Sequence, residues 1–429
     1  MKITQNNISF TDNTTQCDKD TILVSSKQNE KFVHNIDTQC VKQIIEDKQL
    51  IDFFDFSNIK IVGITGTNGK TTTAAAIYSF LLDLGEKVAF QGTRGLYINE
   101  NKIKEYSLTT PVQLEIFENI NLALQDGCNY FIMEVSSHAL VQNRICGLDF
   151  ALKVHTNITR DHLDYHKTLE QYIKVKNSFF KDDAPKLINR DDKNIKYKFK
   201  NIYSYGLDNN ATYKVQAFTF KHGTTVALQY FGELYHFSSD LRGTFNVYNL
   251  AAAVGATHLL TNKPLQDICD VVENFAGVSG RMQIVCENPL VVVDFAHTPD
   301  GMKSVFESYK DKDIIVVFGA GGNRDKEKRF FMGKSANEYA KYIYVTSDNP
   351  RFEDPQLICD DIVCGIDQKD KLTVELNRKE AIYLAINKAK EYAQPVVLIL
   401  GKGDETSQII YDKKFPLNDK EIVDNICTN

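Results

Sequence analysis

Residues 59–85 read IKIVGITGTNGKTTTAAAIYSFLLDLG, and this stretch decides the fold. It begins as a run of β-branched apolar residues that ends at a glycine-rich turn, which is typical of a buried strand. From Lys70 onward the pattern predicts a helix, closed by Gly85 at its C-terminal end. A strand that leads through such a turn into a helix indicates the start of a parallel α/β sheet.

The same alternation of strands and helices continues on both sides of residue 278. KVAF, NYFIMEV (129–135) and LKVHTNI (152–158) are predicted strands, and VQLEIFENINLALQ is a predicted helix with Pro111 in its first turn. TVALQYFGELYHF, within residues 202–240, alternates in polarity and predicts an antiparallel patch, after which FNVYNLAAAVGATHLL predicts a helix. A second series follows, with the predicted strands PLVVVDF, DIIVVFG, KYIYVT and PVVLILG.

The chain is therefore expected to be an α/β protein of three domains. Residues 1–56 form a short, polar N-terminal α/β unit with ILVSS (22–26) as one candidate strand. Residues 57–277 form a central domain with a parallel sheet and an antiparallel patch. Residues 278–429 form a C-terminal Rossmann-like domain.

Composition excludes several classes of protein. The formal net charge of −6 comes with no basic stripe, so no nucleic-acid partner is expected, and the DKEKR run (325–329) is expected to be a solvated surface. The nine cysteines show no CxxC pair, which is typical of reduced thiols. The N-terminus has no secretory signal and no apolar run approaches the roughly 20 residues of a membrane span, so we expect a cytoplasmic protein with no membrane partner.

The glycine-rich turn has the residue types of a phosphate-binding loop. Its residues are Gly66, Thr67, Asn68, Gly69, Lys70, Thr71 and Thr72. Backbone N–H groups at a helix start can approach phosphate oxygens, Lys70 can neutralise the terminal phosphates, and Thr71 can offer a hydroxyl to Mg²⁺. The first glycine of the usual pattern is displaced, since position 64 is Ile64 and Gly63 lies one place earlier. This loop alone does not separate a GTPase, a kinase and a ligase.

Four further residues are ambiguous on their own. Glu134 ends a predicted strand and could hold a metal ion, although a strand-end acid beside a helix-capping serine fits as well. His162 and His166 are four residues apart as in a zinc helix, but the glutamate of that motif is missing, so zinc is rejected. Lys176 lies in a predicted helix, where by itself it would be read as an ordinary surface lysine.

Taken together, these motifs resemble the Mur ligase family. The ordered set covers nearly all of residues 57–429 and consists of GTNGKTT (66–72), TTP (109–111), EVSSHALVQNR (134–144), TNITRDHLDYH (156–166), a helix with Lys176, GRM (280–282), DFAHTPD (294–300), GAGGNRDKEKR (319–329), DNPR (348–351) and GKGDE (401–405). DNPR resembles the motif of family members that select meso-diaminopimelate.

The resemblance implies an ATP-dependent amide-bond ligase of peptidoglycan precursor synthesis. ATP would phosphorylate the D-glutamate γ-carboxylate of UDP-N-acetylmuramoyl-L-alanyl-D-glutamate, and the amine of meso-diaminopimelate would attack the acyl phosphate. The implied cofactors are Mg²⁺, ATP as co-substrate and a CO₂-derived carbamate on Lys176. The three domains would bind the UDP-linked substrate, ATP and the amino acid in chain order, and we expect a monomer.

The resemblance also assigns residues to roles. Lys70, Glu134, His162 and Lys176 would be catalytic, and the metal ligands would be Thr71, Glu134, His162 and the Lys176 carbamate. ATP would be bound by residues 66–72 with Asn249 and Arg281, while Asn246 and His297 would line the nucleotide. The UDP-sugar dipeptide would contact Thr109, Thr110, Ser136, Gln142 and Arg144. Diaminopimelate would contact Arg324, Asp348, Asn349, Pro350, Arg351, Gly401 and Glu405.

Three departures and two alternatives stay open. Asp404 replaces the histidine of the family's usual GKGHE, Asn323 stands where an acid is common, and TDNTT (11–15) only faintly resembles the family's uridine-side motif. The chain could be a sibling ligase, such as folylpolyglutamate synthetase or the D-alanyl-D-alanine-adding ligase. It could instead be a nucleotide-binding regulator without ligase chemistry, which the presence of Lys70, Glu134 and Lys176 argues against.

Overall fold

The computed structural model describes residues 1–105, 108–221 and 223–427, which form an α/β protein with three major sheets. The N-terminal sheet has four strands in the order β1-β2-β3-β4, of which only β1 and β2 pair antiparallel. Its elements are β1 (Lys2–Gln5), β2 (Ile8–Thr11), β3 (Thr21–Ser25), α1 (Glu30–Val33) and β4 (Gln43–Glu46). The predicted strand ILVSS is confirmed as β3.

This small N-terminal unit shares its core with the sheet that follows. Phe10 packs edge-on against Phe53, and Phe54 does the same with Phe117 of the central region, with ring centroids 5.1 and 5.2 Å apart. Both groups belong to one continuous apolar cluster. A unit of this size cannot bury enough apolar surface alone, so packing on the larger sheet supplies the missing core.

The central sheet has eleven strands in the order β15-β14-β13-β12-β11-β10-β5-β9-β6-β7-β8. The strands are β5 (Lys60–Thr65), β6 (Val88–Gly92), β7 (Gly95–Ile98), β8 (Asn101–Lys104), β9 (Tyr130–Glu134), β10 (Phe150–His155), β11 (Lys186–Asn189), β12 (Ile202–Gly206), β13 (Tyr213–Thr219), β14 (Thr224–Tyr230) and β15 (Glu233–Ser239). The helices are α2 (Lys70–Asp83), α3 (Gln113–Gln125), α4 (Ser137–Val141), α5 (Leu163–His166), α6 (Leu169–Ser178), α7 (Thr244–Thr261) and α8 (Leu265–Asp270).

In the spatial order of the sheet, all pairs between β6 and β13 are parallel. The predicted antiparallel patch is confirmed as β13-β14-β15. Gly85 follows the last residues of α2 with φ +81°, which confirms it as the helix-ending glycine. The prediction for Pro111 is wrong, because α3 begins at Gln113 with an extended Val112 as its N-cap. Thr110 donates a hydrogen bond to the carbonyl of Glu134 at the end of β9, which holds the segment before α3 against the sheet.

The C-terminal sheet has six strands in the order β16-β17-β21-β18-β19-β20, parallel except for β16. Its strands are β16 (Gln283–Glu287), β17 (Leu290–Asp294), β18 (Asp313–Phe318), β19 (Tyr342–Val345), β20 (Leu372–Val374) and β21 (Pro395–Leu400), followed by a separate hairpin of β22 (Ser407–Ile410) and β23 (Lys413–Pro416). Helices α9 (Pro299–Glu307), α10 (Glu327–Tyr339), α11 (Pro355–Val363), α12 (Arg378–Ala389) and α13 (Asp419–Cys427) complete it. Two apolar clusters, one on each face of the sheet, give the doubly wound arrangement that the sequence predicts. Across the described residues, no helix is both long and apolar enough to span a bilayer.

Candidate functional site

The phosphate loop lies between β5 and α2 and is fixed from the end of β10. A β-carbon at Gly66 would lie 1.8 Å from Thr156 Oγ1, so only glycine allows this approach, and Gly69 takes φ +84° at the start of α2. The N–H groups of Thr67 and Asn68 donate to Asn157. The N–H groups at the helix start are therefore the ones placed to meet a phosphate.

Lys70 lies across this loop. Its ammonium donates to the carbonyl oxygens of Gly66 and Thr67, both at 2.9 Å. Burial lowers the pKa of Lys70, and the opposing charge of Glu134 raises it. The lysine is therefore held at a position that a bound triphosphate would reach. There, charge-assisted hydrogen bonds to phosphate oxygens would replace the two weaker contacts with carbonyl oxygens.

Glu134 ends β9 and is fully buried beside the phosphate loop. Its carboxylate accepts from the Thr71 hydroxyl and from the Thr93 backbone N–H, each at 2.9 Å. A β-carbon at Gly92, the last residue of β6, would come within 2.2 Å of Glu134 Oε1, so a side chain there would displace the carboxylate. A carboxylate and a hydroxyl this close form a hard oxygen donor set that fits Mg²⁺.

Lys176 is not a surface lysine, because only 1% of it is exposed. It lies on α6 and its amine donates to the carbonyl of Gly66 at 2.7 Å. Burial lowers the pKa of this amine well below its usual range, with a further lowering by Lys70 and an opposing effect of Asp161. An unprotonated amine at this position is a nucleophile beside the phosphate loop.

His162 lines the same cavity and is the N-cap of α5, with φ +53°. Burial lowers the pKa of His162, against the opposing charge of Asp161, whose carboxylate lies 3.3 Å away. A lower pKa favours the neutral imidazole, the form that can bind a metal ion through a ring nitrogen.

The residues assigned to the UDP-sugar dipeptide lie together beside Glu134. Thr109 lines the cavity, and the Thr110 hydroxyl accepts from the Ser136 N–H at 2.9 Å. The Arg144 guanidinium donates two hydrogen bonds to Gln142 Oε1, and Gln142 contacts Gln28 of the N-terminal unit. This group therefore connects the phosphate site to the N-terminal unit.

The residues assigned to diaminopimelate come from the C-terminal sheet, yet they line the same cavity as the phosphate loop. The cavity has a volume of about 350 Å³, and its C-terminal wall includes Arg324, Asp348, Asn349, Arg351, Gly401 and Glu405. Pro350 is buried behind this wall and is absent from the cavity lining. Of the predicted amino-acid site, the structure thus places every residue but the proline at the cavity.

Comparison with known proteins agrees with this geometry. Residues 64–257 match the Mur ligase middle domain, and residues 280–403 match the Mur ligase glutamate ligase domain. The UDP-N-acetylmuramoyl-L-alanyl-D-glutamate--2,6-diaminopimelate ligase of Wolinella succinogenes is 53% identical over 382 residues, which cover 89% of this chain and 87% of that protein. The chain belongs to the Mur ligase family.

Two further proteins extend the likeness along the Mur ligase chain. The enzyme of the same name from Helicobacter hepaticus is 48% identical and covers 96% of this chain and 91% of that protein. A solved structure of a UDP-N-acetylmuramoyl-L-alanyl-D-glutamate--2,6-diaminopimelate ligase is 30% identical, with a TM-score of 0.68, and covers 98% of this chain and 94% of that one. Members of this family are ATP-dependent amide-bond ligases that use Mg²⁺.

A second cavity of about 1010 Å³ adjoins the first on the side of α7. It is lined by Asn246, Asn249, Arg281 and His297, and both cavities share Gly69. The Arg281 guanidinium lies over the ring of Phe295 at 4.2 Å. The predicted nucleotide-lining residues therefore lie beyond the phosphate loop, where the rest of a nucleotide would extend.

Sequence reasoning missed several residues of this Mur ligase site. The DKEKR run was expected to be solvated, and that prediction is wrong for Lys328 and Arg329, which are 8% and 1% exposed. Arg329 forms ion pairs with Glu353 and Asp361, each at 3.0 Å, while Lys328 lines the cavity. Thr93 and Asp161 also line it. Lys328 and Asp161 belong to the motifs GGNRDKEKR and TNITRDHLDYH, which could have indicated them as site residues. Thr93 belongs to no motif.

Proposed function

We propose that this chain ligates meso-diaminopimelate to the D-glutamate γ-carboxylate of UDP-N-acetylmuramoyl-L-alanyl-D-glutamate, with ATP as co-substrate, in peptidoglycan precursor synthesis. The observation that carries the proposal is a single cavity lined by Lys70 of the phosphate loop and by Arg351 of the C-terminal sheet. A ligase needs the activated acyl group and the amine in one place, and the near-attack arrangement of two substrates is a large part of such catalysis.

The chemistry requires activation because a carboxylate is a poor acyl donor. The γ-carboxylate oxygen attacks the terminal phosphorus of ATP, ADP leaves, and an acyl phosphate results. The neutral amine of diaminopimelate then attacks the acyl carbon, loses a proton, and phosphate departs. Lys70 stabilises the charge on the transferring phosphoryl group, where preorganised cations are most effective.

The metal-binding residues we propose are Thr71, Glu134, His162 and Lys176 as its carbamate. Mg²⁺ held there supplies charge neutralisation for the phosphates. The lowered pKa of the buried Lys176 amine supports carbamylation, because the unprotonated form of an amine adds to CO₂ with loss of one proton. The product is a carboxylate-like oxygen ligand, and it replaces an ammonium that the charge of Lys70 disfavours.

The amine pocket has the charges that diaminopimelate requires. Arg351 and Arg324 can each pair with a carboxylate, and the carboxylate of Asp348 can accept from an ammonium group. Glu405 already accepts from Lys402 at 2.8 Å, so part of its charge is used within the protein. If lysine bound in place of diaminopimelate, an arginine would stay unpaired in a partly buried pocket. The unpaired charge would weaken the binding of lysine.

We further propose that residues 1–56 bind the UDP-linked substrate, residues 57–277 bind ATP, and residues 278–429 bind the amino acid. The limits are supported by the three major sheets, which each fall within one of these ranges. We also propose that the active form is a monomer. The proposed substrates, ATP and a nucleotide-linked sugar, support a cytoplasmic location.

The decisive experiment incubates the purified protein with ATP, Mg²⁺, the UDP-muramoyl dipeptide and an equimolar mixture of candidate amino acids. The mixture contains meso-diaminopimelate, lysine, glutamate and D-alanyl-D-alanine, and the products are identified by mass spectrometry. We expect one product, with diaminopimelate added, and one ADP released per product. A product that contains lysine or glutamate, or ADP release without any ligation, would reject the proposal.

A further inference from the structure

The loop that carries Arg351 has a backbone conformation that needs outside support. Arg351 takes φ +53°, in the left-handed region that residues other than glycine rarely occupy. Such a conformation persists only where the surrounding structure fixes it. The source of that support is the hairpin of β22 and β23.

Both backbone groups of Arg351 pair with the hairpin. The Arg351 N–H donates to the carbonyl of Ile409 at 3.1 Å, and the Tyr411 N–H donates to the carbonyl of Arg351 at 2.7 Å. The result is an isolated parallel bridge between Arg351 and Ile410. The hairpin thus holds the residue whose side chain lines the cavity.

Side chains extend the contact to the rest of the loop. Gln408 Nε2 donates to the carbonyl of Asp348 at 2.7 Å and to the Ser347 hydroxyl at 3.1 Å. The Ile409 N–H donates to Asn349 Oδ1 at 2.8 Å. Asn349 was expected to contact the amino acid, but its amide oxygen is used to hold the loop against the hairpin.

The hairpin itself is a small element. All four residues of β23 are exposed, and a two-stranded hairpin has little stability of its own. The hydrogen bonds that order the loop therefore also contribute to the order of the hairpin, together with the Lys402 contact to Ser407 and the Phe352–Tyr411 ring contact. Loss of one of them should loosen both.

We propose that Gln408 is a positioning residue for the amine pocket, acting through the Asp348 carbonyl to aim Arg351 into the cavity. The inference rests on the proposed function, since it takes that part of the cavity as the amino-acid site. Without the Gln408 donor, the loop samples more conformations, and amino-acid binding must then restore the order. The affinity for diaminopimelate falls, whereas ATP, which binds on the central sheet, is unaffected.

The test compares Gln408→Glu with Lys414→Gln. Glutamate keeps the size of Gln408 but cannot donate a hydrogen bond when ionised, and it places a charge against the Asp348 carbonyl. Lys414→Gln makes the same change in net charge at an exposed position of the hairpin, so it is the matched control. Thermal unfolding followed by circular dichroism confirms that each variant is folded.

Two measurements are made on the wild type and both variants. The first is amide hydrogen exchange of residues 347–353 without substrates, which we expect to be faster in Gln408→Glu only. The second is steady-state kinetics, in which we expect the KM for diaminopimelate to rise by about tenfold or more in Gln408→Glu, because both hydrogen bonds that Gln408 donates to the loop are lost. The KM for ATP stays within about twofold, and preference for diaminopimelate over lysine declines.

The two measurements separate the inference from the function on which it rests. Unchanged exchange in Gln408→Glu overturns the inference, and so does an equal rise in the KM for ATP and for diaminopimelate. Faster exchange with an unchanged KM for diaminopimelate also overturns it. Faster exchange together with a wild type that shows no diaminopimelate-dependent turnover supports the positioning contact and rejects the proposed function instead.

Discussion

Arg351 is the residue on which, in our proposal, selection of the amino acid depends. Its guanidinium lines the cavity and donates to the Gly322 carbonyl at 2.9 Å, and a β-carbon at Gly321 would lie 2.9 Å from it. We predict that Arg351→Ala raises the KM for diaminopimelate by about 10–100-fold, the loss of a charge-assisted hydrogen bond to a carboxylate. The KM for ATP should stay within about twofold, as measured by ADP release.

A second substitution separates the side chain from the backbone. Arg351→Gly removes the same guanidinium but relieves the left-handed backbone at this position. If the guanidinium is what binds the substrate, both variants lose affinity to a similar extent. Recovery of the wild-type KM in the glycine variant would show that the assignment of the pocket is mistaken. Arg190→Ala, at an exposed position of the central region, is the control for loss of a positive charge.

Lys176 gives a prediction of a different kind, because its proposed role requires a modification. We predict that Lys176→Ala lowers turnover by on the order of 100-fold, as expected for a disturbed metal site. Formate, which can occupy the vacated volume as a carboxylate, should restore part of the activity. Lys176→Arg fills that volume with a cation that does not form the carbamate, so it should be inactive with or without formate. Turnover of Lys176→Ala near the wild-type level would contradict the carbamate.

The sequence identified the residues of this site that belong to short local motifs. Lys70 and Glu134 follow strands in recognisable patterns, and the structure places both at the cavity. Lys176 carried no local signal, since its burial depends on how α6 packs against the phosphate loop. Thr93 was missed for a related reason: it acts through its backbone N–H, which any residue type could supply. Residue type predicts side-chain chemistry, but tertiary packing decides burial.

Among the elements, α12 and α13 are joined by a fully buried ion pair. The Arg378 guanidinium donates to both carboxylate oxygens of Asp419, at 2.8 and 2.7 Å, and neither side chain is exposed. We predict that Asp419→Ala lowers the free energy of unfolding by about 3–5 kcal/mol, because it leaves a buried cation without its partner. The measurement is urea denaturation followed by circular dichroism, since the chain contains no tryptophan.

The controls for this element use both the same pair and a neighbouring one. The double variant Arg378→Met, Asp419→Leu removes both charges and should recover most of the lost stability. Lys420 and Asp424 form an exposed ion pair on the same helix, so Asp424→Ala should change stability by less than about 1 kcal/mol. Equal destabilisation by Asp419→Ala and Asp424→Ala would contradict the role assigned to the buried pair.

The elements show where sequence patterns are sufficient and where they are not. The strand–loop–helix of residues 59–85 and the parallel strands of the C-terminal sheet were predictable, because burial on both faces produces continuous apolar runs. The start of α3 was not, since it depends on the hydrogen bond from Thr110 to Glu134, which are 24 residues apart. The hairpin β22–β23 was not predicted from the sequence for the same reason, because contacts with a loop elsewhere in the chain stabilise it.

At the scale of the whole molecule, catalysis requires the central and C-terminal sheets to keep the cavity assembled. Arg94 follows Thr93, which holds Glu134, and its guanidinium donates to Asp404 at 2.8 Å and to the Ser279 carbonyl at 2.9 Å. The Arg94 and Asp404 side chains are 22% and 15% exposed, so this ion pair is less screened than a surface pair. It joins the edge of the central sheet that carries Glu134 to the GKGDE segment, at the position where the family's usual histidine is replaced.

We therefore predict that Arg94→Ala shifts the molecule toward a more open form, because this contact joins the two units directly. In the presence of ADP and diaminopimelate, small-angle scattering should show a larger radius of gyration for Arg94→Ala than for the wild type. The kcat of the variant should fall about tenfold. The exchanged pair Arg94→Asp, Asp404→Arg should regain part of both. Arg160 and Glu327 also join the two units, but Glu327 is 77% exposed, so Glu327→Ala is the matched control and should leave both quantities near the wild type. A compact Arg94→Ala with unchanged kcat would show that the cavity is held together without this contact.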